Sequence, residues 1–367
     1  MDGEGSDDGR YIDERLGLLE GEGAQQRVKS PRDREAGAPF EVWSQKPSEA
    51  SERRSYYERP VLKEPVWIWS VPAYFYAGGV CGAAAVLGAI AQAADAQGLR
   101  RLVRRCRWIS AVGGGVGTAL LITDLGRPER FLNMLRVFRP TSPLNLGSWV
   151  LATTTPLSSG AAVLAGANGV LGRLGDLAGF GAGISGVPMS GYTAVLLSTT
   201  AIPVWQSARR TLPWLFVASA ASSASALLEA TDLDDREHRI VESFGRLAGA
   251  TEIVAALAVE REVGSVERVA RPLREGLSGA LWKTSFVCGA GGLVLSLAPG
   301  KGRFKRLLSS VLTTAGALTM RFAVFHAGKA SARDPHATFE MQRSGHGGAE
   351  VTGRAAIAGP AAKLERS

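Results

Sequence analysis

The chain separates into polar ends and an apolar middle. Residues 1–63 are polar and charged, and residues 327–367 are mixed and rich in small side chains. Between them, apolar runs of roughly 17–25 residues alternate with short charged loops, the run length a helix needs to cross a bilayer. Eight such runs can be drawn, at about 66–92, 108–123, 144–168, 188–207, 211–229, 244–260, 277–298 and 306–326. The first opens with "VWIWSVPAYFYAGG", whose Trp67, Trp69, Tyr74 and Tyr76 suit an interfacial aromatic belt.

This pattern predicts an all-α integral membrane protein, a bundle of about eight transmembrane helices. Residues 1–55 read as a disordered or partner-binding arm, because so little apolar surface cannot offset the entropy of ordering. Residues 56–330 read as the membrane domain and 331–367 as an extramembrane tail. The acids and glycines after Met1 do not resemble a secretory signal. A mean hydropathy of +0.05 would suit a soluble protein, but the average hides the segregation. The 45 glycines fit a membrane bundle, where small residues let helices approach closely.

Charge narrows the function. The net charge is +8, but the arginines sit beside apolar spans, which points to lipid headgroups and topology rather than to nucleic acid. Basic residues divide almost evenly between the two sides of the predicted bundle, so they leave its orientation open. The three cysteines, Cys81, Cys106 and Cys288, include no CxxC pair, so a cysteine-ligated cluster within this chain is not expected. Of the four histidines only His326 lies near a span, which argues against intrinsic b-haem and leaves no metal site expected. Cys81 and Cys288 read as small packing residues.

One loop stands out. "DLGRPERFLNMLRVFRPTSPLNLGSW", from Asp124 to Trp149, sets charge between two apolar spans. Gly126 and Pro128 break the preceding helix. Phe131, Leu135 and Phe138 would share one face of a short amphipathic interfacial helix, with Arg136 and Arg139 apart from it. The plainer reading is a re-entry loop whose charges face headgroups. The functional reading is a docking platform with Asp124 as a proton-active carboxylate.

The stretch resembles the signature hinge of the polysulfide reductase / NrfD family of membrane subunits. "PVWIWSVPAYFYAGGVCG" (65–82), "SGYTAVLLSTTAIPVW" (190–205) and "RFAVFHAGKASARDPHATFEMQR" (321–343) are similar to that family's first span, fourth span and last span with its tail. The resemblance covers roughly residues 56–343. It implies an eight-helix subunit of a prokaryotic cytoplasmic (inner) membrane that anchors an iron–sulfur subunit, often with a molybdopterin catalytic subunit beyond it. It also implies a bound, exchangeable menaquinone or ubiquinone and no haem or cluster in the membrane chain. Carried over by position, Tyr192 matches the family's tyrosine and Asp124 its hinge acid. Tyr74 stands where some members have a histidine. Tyrosine can donate to a quinone carbonyl but is a poor proton acceptor at neutral pH, so proton transfer would lean on Asp124 or another carboxylate. Asn145 and Trp149 could frame the quinone headgroup. Arg127, Arg130, Arg136 and Arg139 would dock the partner.

Other ionisable groups lie at membrane depth, where each needs a partner or a purpose. Glu252 reads as part of a proton path, or else as a protonated structural group. Lys283 is expected to snorkel. Arg321 could pair with an acid on a neighbouring helix or snorkel likewise. Glu229 and Asp232 are expected to face water, and His326 to be interfacial. Three functions follow: quinone-reactive electron transfer with an iron–sulfur partner, a redox-inactive structural anchor, or a proton-conducting subunit.

Overall fold

A computed structural model describes residues 10–13, 18–21, 60–125, 128–300 and 302–343. The chain divides into two units at residues 59 and 60. In the first, β1 (Arg10–Asp13) pairs antiparallel with β2 (Leu18–Gly21). The rest of the arm, residues 1–55, lies outside the described residues, as do 344–367 of the tail.

The second unit is helical: α1 (Ser70–Asp95), α2 (Arg100–Asp124), α3 (Pro143–Val163), α4 (Gly169–Ser198), α5 (Pro203–Ser207), α6 (Leu212–Glu229), α7 (Asp235–Val263), α8 (Glu267–Arg274), α9 (Gly276–Leu297), α10 (Arg303–Arg333) and α11 (Pro335–Arg343). Local chemistry sets several boundaries. Ser142 caps α3 by accepting from the Asn145 N–H, with Pro143 at the first helical position. Asp234 and Glu237 form a reciprocal capping box at the start of α7.

Helices α1 to α4 pack as one group, α6, α7, α9 and α10 as another, and α1 joins them through α6 and α10. Among the described residues, six helices are long and apolar enough to cross a membrane: α1, α2, α4, α6, α9 and α10. The other two expected spans fall on long helices that are more polar. Helix α3 carries a Thr-Thr-Thr-Pro run, and α7 carries Arg and Glu near both ends with Glu252 between. The largest core cluster lies where α1 begins and α4 and α10 end, and includes Tyr74, Met189, Trp205, Phe216 and Val324. This end also holds the loop after Asp124 and is called the hinge end below.

Three sequence expectations change here. The expected fourth span, 188–207, is not continuous: α4 stops at Ser198, and α5 restarts at Pro203. The Thr200 hydroxyl takes the Leu197 carbonyl at 2.7 Å, and Pro203 has no N–H to continue the ladder. The hinge is not an α-helix through Phe138 but a 3-10 helix over Pro128–Leu135. Asn145 accounts for its end. Its amide nitrogen donates to the Met134 and Val137 carbonyls at 3.1 and 2.9 Å, and its oxygen accepts from the Arg139 N–H at 2.6 Å. Those backbone groups are then not available to prolong a helix. Finally, α10 runs to Arg333, and the start of the tail folds as α11, whose Ala337 and Met341 are buried in the core.

Candidate functional site

The sequence-predicted quinone residues come from three helices of the first group. Tyr74, in the first turns of α1, is 3% exposed, and its hydroxyl has no hydrogen-bond partner among the described residues. Its ring lies beside Gly78 and Gly117, and Met189 of α4 closes over Gly78. Tyr192, one turn beyond Met189, packs against Gly147 of α3, so close that any side chain at 147 would meet its ring. Tyr192 packs on the same core cluster as Tyr74, with Leu120, Leu121 and Val150. Trp149 stands edge-on to Phe138 with centroids 5.9 Å apart, and its indole N–H is buried without a partner.

Asp124 ends α2, half-buried, and its Oδ1 accepts the Ile68 N–H at 3.0 Å. It thereby fastens the strand of chain that leads into α1. The same segment is held at its other side: Lys329 Nζ donates to the Trp67 carbonyl at 3.0 Å, Arg333 grips Glu64 at 2.7 and 2.9 Å, and Trp67 stacks on Trp205 at 6.2 Å. The Arg333 hydrogen bond, with the charges of Arg333 and Lys329, holds the Glu64 carboxyl below its ordinary range despite slight desolvation. Asn145, by contrast, spends its whole amide on the loop and presents no free donor. Arg136 and Arg139 are exposed, Arg127 lies outside the described residues, and of Arg130 only the backbone is described.

Glu252 is remote from these groups in sequence but faces α6 within the second group. Ser222 Oγ donates to its Oε2 at 2.5 Å. Two small cavities meet at Glu252, each of about 20 Å³, roughly the room one water needs. One leads past Ser225 to Glu229; the other leads toward Trp282 and Met320. Glu229 therefore faces an interhelical cavity, not open water as expected; only Asp232 is exposed. Trp282 in turn donates to Glu260 at 2.5 Å.

Arg321 is 1% exposed and neither snorkels nor forms an ion pair with a carboxylate among the described residues. It donates to the Phe216 carbonyl at 3.0 Å and stacks 4.0 Å above the Phe216 ring. Lys283 does reach out, to the Arg274 carbonyl at 3.1 Å. Cys81 is more than a spacer, since its Sγ meets the Ser110 hydroxyl at 3.5 Å, and Ser110 in turn meets Ser158 at 2.7 Å. Cys288 is half-buried and His326 sits edge-on to Phe325.

The family model "Polysulphide reductase, NrfD" matches residues 60–332. The chain belongs to the NrfD family. No individually curated protein matches it. The match begins at the segment fastened by Asp124 and Lys329 and ends one residue before Arg333. The NrfD match thus takes in α1 through nearly all of α10 and leaves α11 outside it. Membership and the apolar helices make the protein an integral membrane one, an anchor of the kind used in quinone-linked electron transfer.

Sequence reasoning missed three parts of this NrfD protein. Arg107, which falls just outside the expected second span of 108–123, is buried inside α2, bonded to Asp176 at 2.7 Å and Gln92 at 2.9 Å. Glu237, 1% exposed, accepts the Leu102 N–H at 2.8 Å and so anchors α7 to the start of α2. The Trp205 ring fills a notch at Gly328. Small residues one and two turns beyond Arg107, at Ser110 and Gly114, were the available hint of a buried face. Nothing local marks the other two.

Proposed function

We propose that this NrfD protein binds menaquinol or ubiquinol at the hinge end of the first helix group and exchanges electrons with an iron–sulfur subunit. All eight long helices would cross a prokaryotic inner membrane, and the complex would often include a molybdopterin subunit. One observation carries the quinone reading. Tyr74 offers a hydroxyl donor that is buried and has no hydrogen-bond partner among the described residues, and Trp149 offers an indole N–H in the same condition. A buried unmade hydrogen bond costs about 1–3 kcal/mol, and a quinone carbonyl is an acceptor that would satisfy it.

In the oxidising direction a quinol gives up two electrons to the partner's clusters and two protons. Tyr74 orients the headgroup, and Tyr192 supplies a second hydroxyl. Tyrosine cannot readily take a proton at neutral pH, so Asp124, held in place by the Ile68 N–H, accepts one of the two protons, and the other passes to water at the hinge end. Asn145 keeps the loop in shape rather than touching the ring. Arg136 and Arg139, exposed on that loop, suit an acidic partner surface, with Arg127 and Arg130 beside them in sequence.

The test uses the complex purified through a tag on this subunit. A reduced menaquinol analogue is added, and cluster reduction is followed by electron paramagnetic resonance. Reduction by quinol supports the reading. Co-purifying clusters that ignore quinol would leave the redox-inactive anchor.

A second reading has its own support. Glu252 joins two water-sized cavities, which favours a proton-conducting role for α6, α7, α9 and α10 alongside electron transfer. Proton uptake by vesicles during turnover tests it.

A further inference from the structure

We infer that a groove at the hinge end, between α8, the start of α9 and the end of α10, binds the phosphate headgroup of an anionic phospholipid. The groove has a volume of about 540 Å³. Arg268, Arg271, Lys329 and Arg333 line it, with Glu275 and Asp334 as its acids and Glu64 bound to Lys329 and Arg333 from the side. Positive charge exceeds negative. The pairs differ in shielding rather than in length. Arg268 and Asp334, 2.6 Å apart, are partly shielded, whereas Arg271 and Glu275, 2.7 Å apart and one helical turn from each other, are 55% and 62% exposed, a pairing that contributes little in water. Arg271 is therefore the cation most readily redirected to a phosphate.

Two further features favour a lipid. Helix α9 begins in the groove at Gly276, whose φ of 65° turns the chain sharply, and its N-cap Glu275 makes no side-chain capping bond. The first N–H groups of a membrane-length helix thus face the groove with the positive end of its dipole. Leu277, in that first turn, is 63% exposed and flanks the groove. Helix α9 starts and α10 ends here, and both are long and apolar enough to cross a membrane, so in a bilayer the groove would lie at the level of the headgroups with apolar helix directly beyond it. A phosphate with an acyl chain attached fits both halves; a free phosphate uses only one. Basic pockets between membrane helices are a recurrent setting for anionic headgroups.

The test is native mass spectrometry of the full-length protein from detergent micelles doped with phosphatidylglycerol or with phosphatidylcholine of the same chains. Phosphatidylglycerol should be retained in preference, and Arg271→Glu should reduce its retention by about five-fold or more. Arg271→Gln should reduce it less, and Arg100→Gln, at the far end of the bundle, not at all. Equal retention of the two lipids, or retention unaffected by Arg271→Glu, would overturn the proposal. Displacement of the lipid by millimolar inorganic phosphate would overturn it too, since the groove would then be a free-anion site.

Discussion

The Ile68 N–H donates to the Asp124 carboxylate at 3.0 Å, across 56 residues of chain. The hinge acid thus has a structural task beside its proposed chemical one. Asn at this position keeps an oxygen that can accept the Ile68 N–H but cannot take a proton. Asp124→Asn should therefore leave assembly and melting temperature nearly unchanged and lower quinol turnover by roughly a hundred-fold or more, the usual scale of a lost general base. Turnover equal to wild type would remove Asp124 from the chemistry.

Tyr74 gives an opposed pair of readouts. Its hydroxyl has no partner among the described residues, so Tyr74→Phe removes an unsatisfied group. The ligand-free variant should melt at the same temperature or slightly higher. Affinity for a quinol analogue should fall by about five- to ten-fold, the worth of one hydrogen bond near 1–1.5 kcal/mol. A lower melting temperature with unchanged affinity would mean that the hydroxyl serves the fold instead.

Gly147 admits the Tyr192 ring. A methyl group at 147 would fall within that ring, whereas at Gly115, on the neighbouring helix, it would meet nothing within 4 Å. Gly147→Ala should destabilise the detergent-solubilised protein by roughly 1–3 kcal/mol. Gly115→Ala should not, and thermal unfolding of the two variants side by side measures the difference.

Glu252→Gln can still bond to Ser222, so the fold should hold. If the cavities on either side carry protons, the variant should keep cluster reduction by quinol and lose proton uptake in vesicles. Unchanged uptake would make Glu252 a structural group.

The hinge end should weaken in acid. The Arg333 hydrogen bond lowers the Glu64 pKa. At Asp334 burial pushes the other way, but the Arg268 bond and charge, with the His336 and Ala337 N–H groups, outweigh it and the pKa is lowered as well. For carboxyls depressed by folding, the stabilisation is present above the unfolded pKa near ~4 and is lost as pH falls through the lower folded value. The melting temperature should be level with respect to these groups from neutral pH to about 5 and drop below about 4. Glu64→Gln should shrink that drop.

What could be read along the chain was whatever depends on neighbours in sequence. Apolar runs located the six helices long and apolar enough to cross a membrane among the described residues, the fourth run marking only the second half of α4, because hydrophobicity is a property of each run by itself. Glycine and proline after Asp124 marked the hinge, and the hinge residues carried the family. The boundaries that moved did so for tertiary reasons. Asn145 ends the 3-10 helix by taking carbonyls eight and eleven residues away. Arg107 falls just outside the expected second span, and Gln92 and Asp176, from two other helices, supply its partners. Arg321, which by sequence either pairs with an acid or snorkels, instead meets a carbonyl and a ring on α6, 105 residues distant. The lone hydroxyl of Tyr74, the Glu252 cavities and the groove beside Lys329 belong to no single segment. Hydrophobicity and helix breaking act over one or two turns and so are written locally. The partner of a buried polar group, or its lack of one, is decided only when separate helices pack together.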